Sequence, residues 1–141
     1  MTAMPYASRR PAAESALRRA QDAGLVAAGV LYQNRMKVAL RRGYTSGDFI
    51  TGRSVNAVAR TNPSDAPGGG RQVTVGTSLL YNLFWEVGHI NAWSRRYERV
   101  EKWRPTLLDS RADLQREYAR VFALIMRRNV PPAPPTSEAA D

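Results

Sequence analysis

From Ala13 to Arg42 no proline interrupts a run in which Leu17, Ala20, Gly24, Ala28, Leu31 and Arg35 recur every three or four residues. That spacing predicts one long helix, the element that most restricts how the rest of the chain can pack. Gly24 and Gly29 each weaken it by up to ~1 kcal/mol relative to alanine. Small residues on a helix stripe also let a neighbour approach closely, so packing can offset that loss. Gly43 is a suitable cap for the end of the helix, and Arg41 and Arg42 before it suit the negative pole of the helix dipole. Residues 1–12 hold Pro5 and Pro11 and little periodicity, and read as an N-terminal arm.

The middle of the chain is strand-like. Arg71–Thr77 alternates with period two, and Ser54–Thr61 is a second, more polar candidate. Between them, residues 62–70 hold two prolines and three successive glycines, which predicts an exposed hairpin loop. This loop lacks the lysine and hydroxyl of a phosphate-cradling loop. Tyr44–Ser54 is rich in glycine and hydroxyls and reads as a turn-making connection. Tyr81–His89 (Tyr-Asn-Leu-Phe-Trp-Glu-Val-Gly-His) is expected to be the last core strand. Glu86 within it should face solvent or an arginine, because a buried carboxylate without a partner is costly. Gly88 should let the chain turn. After Pro105, which fits the first turn of a helix, Leu107, Leu114, Tyr118, Val121, Phe122 and Ile125 form the apolar stripe of a final helix. The fold class expected is therefore α+β: a long N-terminal helix, an antiparallel sheet of about three or four strands, a C-terminal helix and extended terminal arms. Residues 13–129 would form a single domain, followed by a proline-rich tail at 130–141.

Composition narrows the function. The 141 residues suffice for one core, and 43% of them are hydrophobic. No window approaches the ~20 apolar residues of a membrane span, so no membrane partner is expected. Without cysteine there is no disulfide and no thiolate zinc site. The arginine-rich start has no apolar stretch of the secretory type, and Glu14 and Asp22 argue against a transit peptide. The net charge is +9, with +6 on residues 1–44, none on 45–92, +5 on 93–130 and −2 beyond. Such a charge favours polyanions. Nineteen of the 21 basic residues are arginine, suited to bidentate pairing.

No catalytic constellation is visible. His89 is the only histidine, too few for a metal site without further ligands. Glu86, Glu98 and Glu101 lie among or beside basic residues and are better read as ion-pair partners than as an acid–base pair. No enzyme, cofactor or metal is expected. The stretch that most invites a partner holds Trp93, Arg95, Arg96, Tyr97, Arg99, Lys102, Trp103 and Arg104. Tryptophan, tyrosine and arginine are the residues enriched at protein–protein hot spots. The same set, as stacking groups among cations, would also suit a small DNA- or RNA-binding module. Glu98 and Glu101 dilute the charge and favour the protein interface, with Glu86 and Gly88 as its structural anchors.

In order and spacing, three short motifs form one pattern: Thr51-Gly52 ahead of the first strand, the aromatic segment ending Glu86-Val87-Gly88, and Arg104-Pro105 opening the last helix. Over about residues 13–128 the chain resembles the head–tail joining, or tail-completion (neck), proteins of long-tailed bacteriophages and gene transfer agents. It departs from them at His89, where the family usually has threonine, and after Pro105, where Thr-Leu-Leu follows. The resemblance implies a structural virion protein of the neck, made in the host cytoplasm. It would form a homo-oligomeric ring, a hexamer or a dodecamer, between portal or adaptor proteins and the tail tube or tail terminator. Genomic DNA would pass through the lumen without sequence-specific contacts.

Overall fold

The computed structural model describes residues 5–44, 52–90 and 93–129, the side chains of residues 5–9 and of Phe84 excepted. The elements run α1 (Pro5–Arg41), α2 (Arg53–Asn56), β1 (Val58–Arg60), β2 (Ser64–Asp65), β3 (Arg71–Gln72), β4 (Val75–Thr77), α3 (Leu80–Val87), β5 (His89–Ile90), β6 (Tyr97–Glu98) and α4 (Trp103–Asn129). The protein is mixed α+β, with helices dominating.

Helix α1 begins at Pro5 rather than at Ala13, so it takes in most of the segment read as an arm. A proline at the first helical position loses nothing, since its N–H would have no intrahelical acceptor there. Pro11 lies inside the helix and removes one bond from the ladder, while an Arg10–Glu14 pair at 2.9 Å, one turn apart, supports the same turns. The proline-rich tail lies outside the described residues.

Helices α1 and α4 pack antiparallel. Arg19 meets Asn129 at one end of the pair, Arg35 meets Asp113 at 2.7 Å further along, and the Tyr32 hydroxyl donates to the Trp103 carbonyl at 2.9 Å at the other end. Gly24 lies directly against Tyr118 of α4. A Cβ there would lie 2.7 Å from the Tyr118 ring and 3.0 Å from the Tyr118 carbonyl oxygen, so the two helices touch through the missing side chain. Gly24→Ala therefore sets two effects in opposition. Helix propensity favours alanine by ~1 kcal/mol, while forcing packed helices apart costs about 1–3 kcal/mol. The backbone carbonyl cannot swing aside as a side chain would. A net loss of about 1 kcal/mol in urea denaturation is expected, against the gain that propensity alone would give.

Among the described residues the expected sheet of three or four strands is not one sheet. Three separate two-stranded antiparallel pairs stand in its place: β1 with β4, β2 with β3, and β5 with β6. The two pairs in the middle of the chain belong to one interrupted hairpin. Val58 faces Thr77 and Arg60 faces Val75, but Ser64 faces Gln72, so the register slips and Asn62 and Pro63 together stand opposite Val73. A proline has no N–H to give to the ladder, and an extra residue on one strand is a bulge. The candidate strand 54–61 is likewise divided, its first half winding into α2.

A third expectation fails more instructively. Tyr81–His89, expected as the last core strand, is helical up to Val87, within α3 (Leu80–Val87), and only His89 enters a strand, β5. Asn82 and Trp85 are both buried. Residues three apart share one face of a helix but fall on opposite faces of a strand. Only the helix places both in the core. That core joins Tyr32, Met36, Leu40 and Tyr44 of α1 and its end to Val55, Val58 and Trp85, with Val75, Val100, Trp103 and Leu114 packed around them.

Charge pairs fasten the hairpin to α1. Arg71 Nε and Nη2 donate to the two oxygens of Asp22 at 2.8 and 3.1 Å, and its Nη1 reaches Asp65 at 2.8 Å. The hydrogen bond from Arg71 holds the Asp22 carboxyl below its ordinary 3.8. Arg35 and then Arg116 do the same for Asp113, and Arg120 for Glu117. A carboxylate whose folded pKa is depressed contributes stability above its unfolded pKa and loses it as pH falls through the folded value. Tyr32 moves the other way: burial, then the charge of Glu86, pushes it up to about 12 from 10. Its contribution is complete below 10 and lost as pH rises from 10 to about 12. The urea midpoint is therefore expected to form a plateau that falls on the acid side once pH drops below the ordinary 3.8 of aspartate and 4.5 of glutamate, and on the alkaline side above 10.

Candidate interaction surface

Helix α3 carries apolar residues on two faces. The inner face is fixed by a buried polar hub: Asn82 accepts from the Tyr44 hydroxyl at 3.0 Å and donates to Thr77 Oγ1 at 3.0 Å and to the Ser54 carbonyl at 3.4 Å. Beside it, Trp85 stacks on Tyr44 with ring centres 5.4 Å apart and planes 8° from parallel. The outer face holds Leu80, Leu83 and Val87, which are 74%, 54% and 61% exposed. Their spacing puts them in one row along the helix.

Gly88 turns the chain from α3 into the β5–β6 hairpin with φ at 97°, a conformation that non-glycine residues rarely adopt. A Cβ at this position would also overlap the Tyr97 ring. The Tyr97 hydroxyl donates to the Val87 carbonyl at 2.9 Å, which docks the hairpin against the end of α3. Because side chains alternate along a strand, the hairpin divides its residues between two faces. His89 turns inward, edge-on to Trp85 with ring centres 4.6 Å apart, while its partner Glu98 lies 3.6 Å from its Nε2. Ile90 and Tyr97, directly paired across the hairpin, are 71% and 63% exposed, and Trp93 near the tip is 97% exposed. The apolar row of α3 thus continues from Val87 through Tyr97 to Ile90. A continuous exposed surface of this kind is the usual mark of an interaction site.

The expected interface residues divide. Trp93, Arg95, Arg96, Tyr97 and Arg104 are exposed on or beside this surface, and Arg95 holds a left-handed φ of 55° near the hairpin tip. Arg99 is turned back onto Glu101 and donates to the Glu86 carbonyl at 2.9 Å. Lys102 and Trp103 face inward. The Lys102 ammonium donates to the Ala39 carbonyl at 3.1 Å, near the end of α1, and lies 5.6 Å from the centre of the Tyr44 ring. Trp103 packs on the core edge-on to Tyr32, with ring centres 6.3 Å apart. Of the cations in this stretch only Lys102 is drawn inward, while Arg95, Arg96, Arg99 and Arg104 stay exposed.

Glu86 has a role that the sequence reading placed only in outline. It sits near the end of α3, not of a strand, and its partners are backbone groups rather than an arginine side chain. Its carboxylate accepts from the Lys102 N–H at 2.8 Å, the Trp103 N–H at 3.1 Å and the Arg104 N–H at 3.1 Å. The first turn of a helix has N–H groups with no intrahelical acceptor, and it is the positive end of the dipole. Pro105 has no N–H, and Thr106 makes the first helical bond, to the Lys102 carbonyl at 3.2 Å. Every N–H at the start of α4 is thus accounted for. Glu86 locks α3, and with it the hairpin, to the start of the longest packed helix pair.

The exposed residues Leu80, Leu83, Val87 and Ile90 were missed by sequence reasoning. Their three- and four-residue spacing was present, but it was read with a strand's period. An apolar cleft of about 240 Å³ between α1, the β3–β4 segment and α4 is lined by residues such as Leu25, Val73, Leu107 and Leu114. Tyr32, the polar side chain lining it, has committed its hydroxyl to Trp103. Among the described residues no group of three or more acidic, histidine or cysteine side chains could hold a metal ion, and no helix is long and apolar enough to cross a membrane.

A scan against protein-family models and searches of curated proteins and of solved structures find no match to this chain.

Proposed function

We propose that the chain is a structural assembly protein that associates with copies of itself through the α3–hairpin surface, and that its place is the neck of a phage-like particle. The observation that carries the self-association is the row of exposed apolar side chains from Leu80 to Tyr97, rimmed by Arg95, Arg96 and Arg104. An apolar patch with a polar rim is the anatomy of a protein interface, and Trp93, Tyr97 and the arginines are residue types that anchor such contacts. The surface is held rigidly by Glu86 and Trp85, so little ordering cost remains to be met on binding. The neck assignment rests on the motif resemblance of Thr51-Gly52, Glu86-Val87-Gly88 and Arg104-Pro105. A protomer that presents different surfaces to its two neighbours closes into a ring when the rotation between copies permits, which is the form a DNA-traversed neck requires. Electron microscopy of the purified chain should show annular particles, and mass spectrometry should find the chain in particles from the producing host. A chain that stays monomeric and is absent from those particles contradicts the reading.

A further inference from the structure

The proline-rich segment that follows α4 matches the exposed aromatic surface of the hairpin, and the dimensions of the fold keep the two apart within one copy. We propose that residues 131–141 of one copy dock on the Trp93–Tyr97 surface of another. The proposal rests on the self-assembly reading above and names the contact that would carry it.

Pro131-Pro132-Ala133-Pro134-Pro135 favours the polyproline II conformation. Segments already biased to that conformation bind exposed aromatic surfaces, because little chain entropy is lost on docking. The hairpin supplies such a surface in Trp93 and Tyr97, 97% and 63% exposed, with Ile90 beside Tyr97. Charge matches as well as shape. The segment 130–141 contains Glu138 and Asp141 and no lysine or arginine, whereas the exposed Arg95 and Arg96 lie between Trp93 and Tyr97 on the hairpin. Opposed charges of this kind set the direction and register of docking.

Distance decides which copy is bound. The hairpin sits at the start of α4, since Glu86, one residue before its Val87 anchor, caps Trp103. The proline segment leaves from the other end, after Asn129. With a rise of ~1.5 Å per residue, α4 is about 40 Å long. The first proline lies within about 7 Å of chain from Asn129, and the last within about 22 Å even when fully extended. The proline run, with at most about 22 Å of chain against a helix of about 40 Å, cannot reach back to the start of its own α4, which leaves the hairpin of a neighbour as its target. The contact is heterologous, end of one copy to start of the next, which is the kind that builds rings.

The test is made on the full chain carrying the photoreactive residue benzoylphenylalanine at Ala133, with heavy- and light-isotope copies mixed in equal amounts. Irradiation should join the segment to the peptide containing Trp93 and Tyr97 of the opposite isotope, and Trp93→Ala should abolish the link. Changing the four prolines to serine should weaken self-association about ten-fold or more in sedimentation equilibrium, as expected for loss of an anchoring contact, with the unfolding midpoint unchanged. Links within one copy, links to another surface, or association unmoved by the serine variant overturn the proposal. If assemblies persist unchanged in the serine variant, self-assembly stands and the tail contact falls. If the chain neither associates nor cross-links between copies, both fall together.

Discussion

Replacing Glu86 by alanine is expected to lower stability by about 2–3 kcal/mol, more than most helix-cap substitutions. An ordinary cap satisfies one orphan N–H of the first turn, whereas this carboxylate takes those of Lys102, Trp103 and Arg104. Bonds to an ionised acceptor are worth more than neutral ones, and the charge also meets the positive end of α4. The loss is tempered because the turn at Arg104 is exposed and water can reach it. Glu86→Gln keeps an acceptor but not the charge, so about half of the loss is expected in urea denaturation. The same variant offers an independent readout. The charge of Glu86 is the second cause of the high Tyr32 pKa, after burial. In Glu86→Gln, tyrosinate absorbance should show Tyr32 ionising below about 12, yet still above its ordinary 10. A Glu86→Ala protein within about 0.5 kcal/mol of the native chain would mean that the cap does not hold the two helices together.

Trp85 gives the second large effect, and the contrast between two substitutions is more telling than either alone. Trp85→Ala is expected to cost about 3–5 kcal/mol, the range for removing a large buried aromatic. The indole stacks on Tyr44, meets Tyr81 edge-on at 6.3 Å between centres and supports His89 of the hairpin. Its deletion leaves a void where α1, α3 and the hairpin meet. Trp85→Phe keeps a ring in that space. It also removes an indole N–H that is buried with no hydrogen-bond partner among the described residues. Relief of an unsatisfied donor, about 1–3 kcal/mol, opposes the smaller apolar contact of phenylalanine. The phenylalanine variant should therefore unfold within about 1 kcal/mol of the native protein. Equal losses for the two variants in thermal and urea denaturation would contradict this packing account.

The parts of the fold legible in the sequence were those governed by local chemistry. The long helix needed only an unbroken three-to-four spacing, and the last helix its Leu107–Ile125 stripe. The 62–70 loop announced itself through proline and glycine. What escaped were features settled by distant contacts. Nothing within Leu80–Val87 tells that Asn82 must meet Tyr44 and Thr77 while Trp85 meets Tyr44 too, and only that double demand selects helix over strand. The sheet divided because Pro63 and its neighbour displaced the register, a consequence visible only once Ser64 is seen opposite Gln72. The candidate site was legible in the same uneven way. Trp93, Arg95, Arg96, Tyr97 and Arg104 were found by residue type and are exposed, but Lys102 and Trp103, of the same types, are drawn inward by the end of α1 and by the Glu86 cap. The apolar row that makes the surface continuous was hidden by the strand reading, because Leu80, Leu83 and Val87 align only on a helix.

Sedimentation velocity on the full chain and on Leu83→Glu tests the proposed self-association most directly. Leu83 lies at the centre of the outward row of α3 and is 54% exposed, and glutamate is a good helix former, so the fold itself should be untouched. The native chain is expected to sediment as a discrete closed oligomer, and the variant as a 15.7 kDa monomer with an unaltered unfolding midpoint. A native chain that is monomeric at every concentration, or an oligomer indifferent to a charge at Leu83, would contradict the account.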